Sequence, residues 1–477
     1  MKNRKIWVLL NVLTKGEAQH FIRWLRAELN GSQASILALA EILVSHLPRA
    51  PLAKQLQEIM SKKDKKVKKY FTKYLTILTS YIEHFLMCRA LQFHPQEADV
   101  LLLKELNRRK TLDAFELESQ RIHRSLDQLP QDASYYYKRF QLQAEKRKHA
   151  LRSKHKLDST QLLVMNDSID YWWLYQKILT LCTACSAEER THQSILPDSS
   201  LEFEHWQEKY ARKEAQPLLT LYARLFEVLQ NPSVSEANIL LNELKQGRSI
   251  YAREDAASCY IMLLNLFINQ LNETGTPKMI ELVLELYIWG FKQKYIYQGK
   301  YLPAGHYKNF ITICVKGERF ELAKKYLYEL KADLPLLHRE EVFTLALSTL
   351  LAGQGQFQEV VDLLSQWKRG QLSNRLHAKA LLMEAYYELG ETYREQLITQ
   401  VDNWLKYFRK IDPEKARMSK NNYQSWLNRF RFLKRLAEVS DMEPKRLRRL
   451  KKEIEKEKYL GKKAWFLQKI NALLKGR

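Results

Sequence analysis

Gly317-Glu-Arg-Phe320-Glu-Leu-Ala323, Gln354-Gly-Gln-Phe357-Gln-Glu-Val360 and Gly390-Glu-Thr-Tyr393 recur along the last third of the chain. Their aromatic residues stand 37 and 36 positions apart. Each aromatic lies three residues after its opening Gly or Gln, and in the first two a small apolar residue follows three later. This pattern suits a short turn that folds one helix back on another, with the aromatic filling the gap to the next unit. One such unit cannot bury its apolar face alone, so the units must stack. The spacing predicts an all-α chain and an α-solenoid of antiparallel helical hairpins.

Composition agrees with that reading. A hydrophobic share of 45% and an aromatic share of 11% exclude a mainly disordered chain. Only 12 Pro and 14 Gly in 477 residues suit helices joined by short turns. The 78 Lys and Arg against 54 Asp and Glu give a formal charge of +24. That balance admits nucleic acid, an anionic membrane surface or an acidic protein as partner and selects none. The cysteines Cys88, Cys182, Cys185, Cys259 and Cys314 are sparse and odd in number, so a reducing cytoplasm is expected. Lys2, Arg4 and Lys5 before Ile6-Trp-Val-Leu-Leu10 resemble a leader, but Asn11, Lys15 and Glu17 follow too soon. An amphipathic first helix is expected instead. No apolar run approaches the ~18 residues that a membrane-spanning helix needs.

Helical periodicity continues along the chain. Thr14 stands three before Glu17, as in a capping box that satisfies two backbone N–H groups. Tyr74, Leu75, Leu78, Tyr81, Ile82 and Phe85 form a buried-type stripe that Pro95 ends. A helix from about Glu97 to Leu129 is expected to break near Thr111, and another starts at Tyr135. The serines between Ser186 and Ser200, with Pro197, mark a boundary or exposed connection. Tyr260 to Phe267 is nearly all apolar, which predicts a helix enclosed on several sides. The expected organisation is an N-terminal helical domain over 1–190, helical repeats over 201–443 and a basic helical cap over 444–477.

Leu13-Thr-Lys with Glu17 and Phe21, Tyr135-Tyr-Tyr-Lys-Arg-Phe140, Asp170-Tyr-Trp172 with Lys177, Lys308-Asn-Phe310 and Ala378-Lys-Ala-Leu-Leu-Met-Glu-Ala-Tyr-Tyr-Glu-Leu389 form a wider pattern. In it the chain resembles a large helical family of Bacteroidetes-type bacteria, over nearly its whole length. The resemblance implies a cytoplasmic protein with tetratricopeptide-like repeats in the C-terminal half, and carries no reaction, ligand or catalytic residue. After Lys177 the chain departs from that pattern, since Leu179 and Thr183 stand where a basic and an acidic residue are expected.

Signatures of chemistry are weak. Cys182-Thr-Ala-Cys185 is the only CxxC, it falls in a helical setting, and the nearest histidines that could complete a zinc site are His192 and His205. Buried helical thiols are the expected outcome. His306 and His377 read as packing residues. Gly353-Gln-Gly355 lacks the third glycine and preceding strand of a dinucleotide site and suits a turn inside a hairpin. No phosphate loop or nucleophile elbow is present. The expectation is a non-enzyme with no catalytic residue, cofactor or metal.

Two kinds of partner fit instead. A repeat array would present inner helices to a protein, here an acidic segment, through Lys308, Asn309, Lys316, Arg319, Lys379 and Tyr386. The alternative is an RNA, DNA or ribosome-binding protein that uses three basic patches. These are Lys62, Lys63, Lys65, Lys66, Lys68 and Lys69; Arg147, Lys148 and Arg152; and Lys445, Arg446, Arg448, Arg449, Lys451 and Lys452. Tyr70 or Tyr135 could stack on single-stranded bases beside them. From Lys445 to Arg477, 13 basic residues face three acidic ones, so the charge is concentrated as well as global. Contact of this terminal segment with a membrane surface is the least favoured reading.

Overall fold

The computed structural model describes residues 5–29, 34–47, 58, 65–152, 159–191, 217–247, 251–367, 370–413, 418–438 and 444–475. Among these residues the fold is all-α, with 21 α-helices, no strand and one isolated bridge between Gln298 and Tyr301. No described helix is long and apolar enough to cross a membrane. Two compact units are distinguished: Met1–Leu129 with Ala133–Trp172, and Pro130–Asp132 with Trp173–Arg477. The division falls inside a helix, earlier than the serine-rich stretch that the sequence marks. That helix runs on to Thr191, because Ala187-Glu-Glu-Arg190 are good helix formers that outweigh the flanking serine.

The first unit opens with α1 (Lys5–Asn11), α2 (Lys15–Leu29), α3 (Ala34–Ser45) and α4 (Lys65–Phe93). Ile6, Trp7 and Leu10 of α1 are buried, as expected of an amphipathic first helix, and share a core with Phe21, Leu39 and Phe85. The capping box is present. Glu17 N donates to Thr14 Oγ1 at 3.3 Å, while Thr14 N donates to Glu17 Oε2 at 2.8 Å. The other oxygen of Glu17 accepts from Arg89 of α4 at 3.2 Å. Next come α5 (Pro95–Arg109), α6 (Leu112–Leu126), α7 (Ala133–Arg152) and α8 (Ser159–Thr191). The break expected near Thr111 is made by Lys110, whose left-handed φ of 60° ends α5.

The second unit takes the rest of α8 and continues through α9 (Pro217–Gln230), α10 (Val234–Gln246), α11 (Arg253–Thr274) and α12 (Pro277–Gln293). Cys259, Tyr260, Leu263, Leu264 and Phe267 of α11 are all buried, as the unbroken apolar run predicts. Then follow α13 (Ala304–Lys316), α14 (Phe320–Glu329), α15 (Arg339–Gly353), α16 (Phe357–Leu364), α17 (Leu372–Glu388) and α18 (Arg394–Phe408). The chain ends with α19 (Lys420–Ala437), α20 (Pro444–Lys456) and α21 (Lys463–Lys475). Each helix from α13 to α18 packs on the next, and α13 also packs on α15, α15 on α17, α17 on α19 and α19 on α21. In α21 Phe466 and Ile470 are buried, and Trp465, Leu467 and Leu473 pack partly buried against the same core.

The recurring aromatics sit at the start of the second helix of each pair. Phe320 and Phe357 are the first residues of α14 and α16, and Tyr393 directly precedes α18. Tyr393 reaches back to the previous pair, donating from its hydroxyl to Gln358 Oε1 at 3.1 Å and stacking on Tyr386 at 5.2 Å. Two glycines make the α15–α16 turn. Gly355 has φ +78°, and at Gly353 a Cβ would lie 2.4 Å from Val315 Cγ1 of α13. The close approach of α15 to α13 therefore needs a residue without a side chain at 353. We predict that Gly353→Val costs about 1–3 kcal/mol through overpacking, read as a lower urea midpoint with an unchanged helical circular-dichroism signature.

Candidate functional site

The helices α13, α15, α17 and α19, with the turn before α21, bring polar side chains together in the second unit. Asn374, His377, Glu384 and Glu388 recur on α17 at spacings of three, seven and four, which place them along one side of the helix. Lys308 of α13 donates from Nζ to Asn374 Oδ1 at 2.6 Å, and Asn374 Nδ2 donates to Glu341 Oε1 of α15 at 2.7 Å. Three helices are thereby joined by one amide. Burial lowers the Lys308 pKa, and the Glu341 charge works against that shift.

Two turns along α17, Glu384 is only 4% exposed. Arg429 Nε of α19 donates to its Oε1 at 3.0 Å, and Lys462 Nζ donates to its Oε2 at 2.7 Å. Burial pushes the Glu384 carboxyl up, but the charges and hydrogen bonds of Arg429 and Lys462 outweigh it and hold the pKa below its ordinary value. Glu388 repeats the arrangement one turn on, accepting from Trp465 Nε1 at 2.8 Å and from Lys469 Nζ.

His377 lies between these groups and is open to solvent, 5.0 Å from Trp426 between ring centroids. It is therefore a surface group rather than the packing residue expected from its apolar neighbours in sequence. Crowding by protein lowers its pKa first, and the charges of Lys308, Arg429 and Lys462 add to the effect, bringing it to about 4. The open side of the ring screens this shift. His306 does pack, half-buried beside Tyr287.

The six residues expected to meet a protein partner share no hydrogen bond or ion pair with one another. Lys308 belongs to the network above. The Asn309 side chain works against the burial that raises the Tyr287 pKa, Lys316 Nζ donates to Leu271 O at 3.3 Å, and Arg319 pairs with Glu281 at 2.7 Å. The last two ties run to helices α11 and α12. Lys379 lines a separate cleft, and Tyr386 stacks on Tyr393. The sequence pattern missed Asn374, Glu384, Arg429 and Lys462. A Glu-Ala-Tyr-Tyr-Glu run inside an apolar helix was the available signal that a buried carboxylate needs partners.

The basic patches divide similarly. Lys62 and Lys63 lie outside the described residues, and Lys65, Lys66, Lys68 and Lys69 begin α4. In α7, Lys148 pairs within the helix with buried Glu145 at 2.7 Å and Arg152 donates to Asn107 O at 2.6 Å, tying α7 to α5; Arg147, Lys148 and Arg152 are all exposed. Tyr135 is buried against Tyr136 and cannot stack on a base, while Tyr70 is exposed. On α20 the residues Leu447, Leu450 and Ile454 face inward. Lys445, Arg446, Arg448, Arg449 and Lys452 are exposed there, and Lys451 is half-exposed.

Cys182 and Cys185 are buried on α8, and burial pushes the Cys182 thiol up, away from the reactive thiolate. His192 and His205 lie outside the described residues. The chain matches no protein-family model, no curated protein and no solved structure.

Removing one partner of a buried ion pair leaves a charge without an answer. Glu384→Ala is therefore expected to cost about 3–5 kcal/mol, measured by chemical denaturation. Replacing Glu384, Arg429 and Lys462 together by Met should recover much of that loss. His377 and Glu384 both have lowered pKa values in the fold, so the unfolded chain binds protons first as pH falls. Their contributions are complete above the ordinary values of 6.5 and 4.5 and are lost below them. The His377 imidazole should titrate below its ordinary value of 6.5 by proton NMR, and His377→Gln should flatten the fall in stability below pH 6.5.

Proposed function

We propose that this chain is a non-enzymatic helical-repeat scaffold of the bacterial cytoplasm, tetratricopeptide-like in its second unit, that binds a protein partner through an acidic segment. One observation carries the reading. The first helices of successive pairs, α13, α15, α17 and α19, pack side by side; His377 is exposed there beside Trp426, and half-buried Lys308 is tied to buried Asn374. An antiparallel array has two kinds of helix, and the set in mutual contact forms its continuous wall. The regular aromatic at the start of each second helix supports the same architecture. The positive field of Lys308, Arg429 and Lys462 acts on an exposed imidazole there, and Lys308, held by the Asn374 amide and by no ion pair among the described residues, supports an acidic segment as the ligand.

The test is affinity purification of the tagged full chain from its native host, with and without nuclease. A protein partner is expected to survive nuclease, and Lys308→Glu with His377→Glu should reduce its recovery at least ~tenfold, equal to about 1.4 kcal/mol. Equal recovery by the variant would overturn the assignment of this wall.

A second reading, binding to a polyanion such as RNA, is favoured by α20. Lys445, Arg446, Arg448 and Lys452 form a solvated basic face with no ion-paired carboxylate among the described residues, whereas Arg449 and Lys451 share Glu453 and Glu455. On this reading, reversing those four charges lowers the slope of log affinity against log salt by about 3–4, at 0.7–0.9 per lost phosphate contact. An unchanged slope in a filter-binding titration would remove it.

A further inference from the structure

The α17–α18 pair holds a second group of cations, apart from the Glu384 network. Arg375 and Lys379 stand one turn apart on α17 and line a cleft of 350 Å³. Trp404 and Tyr407 of α18 form one wall, Trp367 stands at the rim, and the amides of Gln400 and Asn403 also face the space. The Arg375 guanidinium lies 5.6 Å from the Trp404 ring centre and 5.2 Å from that of Tyr407, and its Nη1 donates to the Tyr407 hydroxyl at 3.4 Å. These ring contacts and the bond to the Tyr407 hydroxyl limit the directions in which the guanidinium N–H groups can point.

Neither Arg375 nor Lys379 has an ion-paired carboxylate among the described residues. Elsewhere in this unit the largely buried cations Arg429 and Lys469 are matched by Glu384 and Glu388. Lys379 is half-buried, and burial first and Arg375 second lower its pKa. Holding two like charges one turn apart, with Lys379 half-buried, is costly, and a bound anion offsets that cost. One carboxylate answers one charge. A phosphate monoester carries about −1.5 to −2 near neutral pH and matches both. Aromatic walls favour a flat ring beside it, and the cleft falls within the ~300–1,000 Å³ of small-molecule sites.

We infer that this cleft binds a phosphate monoester joined to a planar ring. The phosphate meets Arg375 and Lys379, the ring lies along the aromatic wall, and the amides of Gln400 and Asn403 meet its polar edge. Two sources supply this chemistry: a free nucleoside monophosphate, and a phosphorylated tyrosine side chain. The site stands independently of the wall assigned to a protein partner.

The experiment is calorimetric titration of the full chain with AMP, a phosphotyrosine amide and benzoate, with tryptophan fluorescence as a second readout. AMP or the phosphotyrosine amide should bind with Kd below about 1 mM, and benzoate at least ~tenfold more weakly. Binding of AMP alone assigns the nucleotide source, and binding of the phosphotyrosine amide alone assigns the peptide source. Lys379→Met should abolish the response and Lys379→Arg should keep it. Asn403→Asp alters an exposed residue and so tests the cleft with the fold retained; the added anion should weaken binding at least tenfold. The inference is overturned if neither ring phosphate binds, if benzoate binds equally well, or if Lys379→Met and Asn403→Asp leave binding unchanged.

Discussion

A carboxylate taken out of water must be answered by positive charge, and Glu384 places that demand near the C-terminal end of α17. Arg429 answers from α19 and Lys462 from the turn before α21, so one buried group fixes the position of three elements. Apolar packing brings α17 and α19 together but does not choose one register along the helices. The paired charges do, since a shift of one turn would separate Glu384 from both partners. Asn374 performs the uncharged version of this task between α13 and α15.

The all-α class was legible because it rests on local rules: spacing of apolar residues, turn residues and caps. Thr14 with Glu17, the break at Lys110 and the Gly353-Gln-Gly355 turn appear where such rules place them. The polar site was not legible in the same way. Lys308 and Asn374 are 66 residues apart, and Glu384 and Lys462 are 78 apart. No local spacing relates such residues; their meeting is a product of stacking. His377 shows the opposite error, an apolar neighbourhood in sequence but an open position in space.

Charge counts were similarly incomplete guides. In α7 the basic residues Lys138 and Arg152 reach Gln96 and the Asn107 carbonyl of α5, while Lys148 pairs with Glu145 within the helix, so part of that run holds the unit together. In α20 the same composition is turned outward because Leu447, Leu450 and Ile454 occupy the inward positions. Burial pattern, more than the number of lysines, separates a cementing run from a presenting one.

Glu17 has a double attachment. One oxygen closes the cap at the start of α2, and the other holds Arg89 on α4, 72 residues away. A cap ordinarily forms and frays within its own turn, on the nanosecond scale of helix ends. Here the carboxylate that seals the end is also held in place by a distant helix. Fraying at the beginning of α2 and loosening of α4 thus become linked events, and a local helix signal acts as a joint in the cooperative unit.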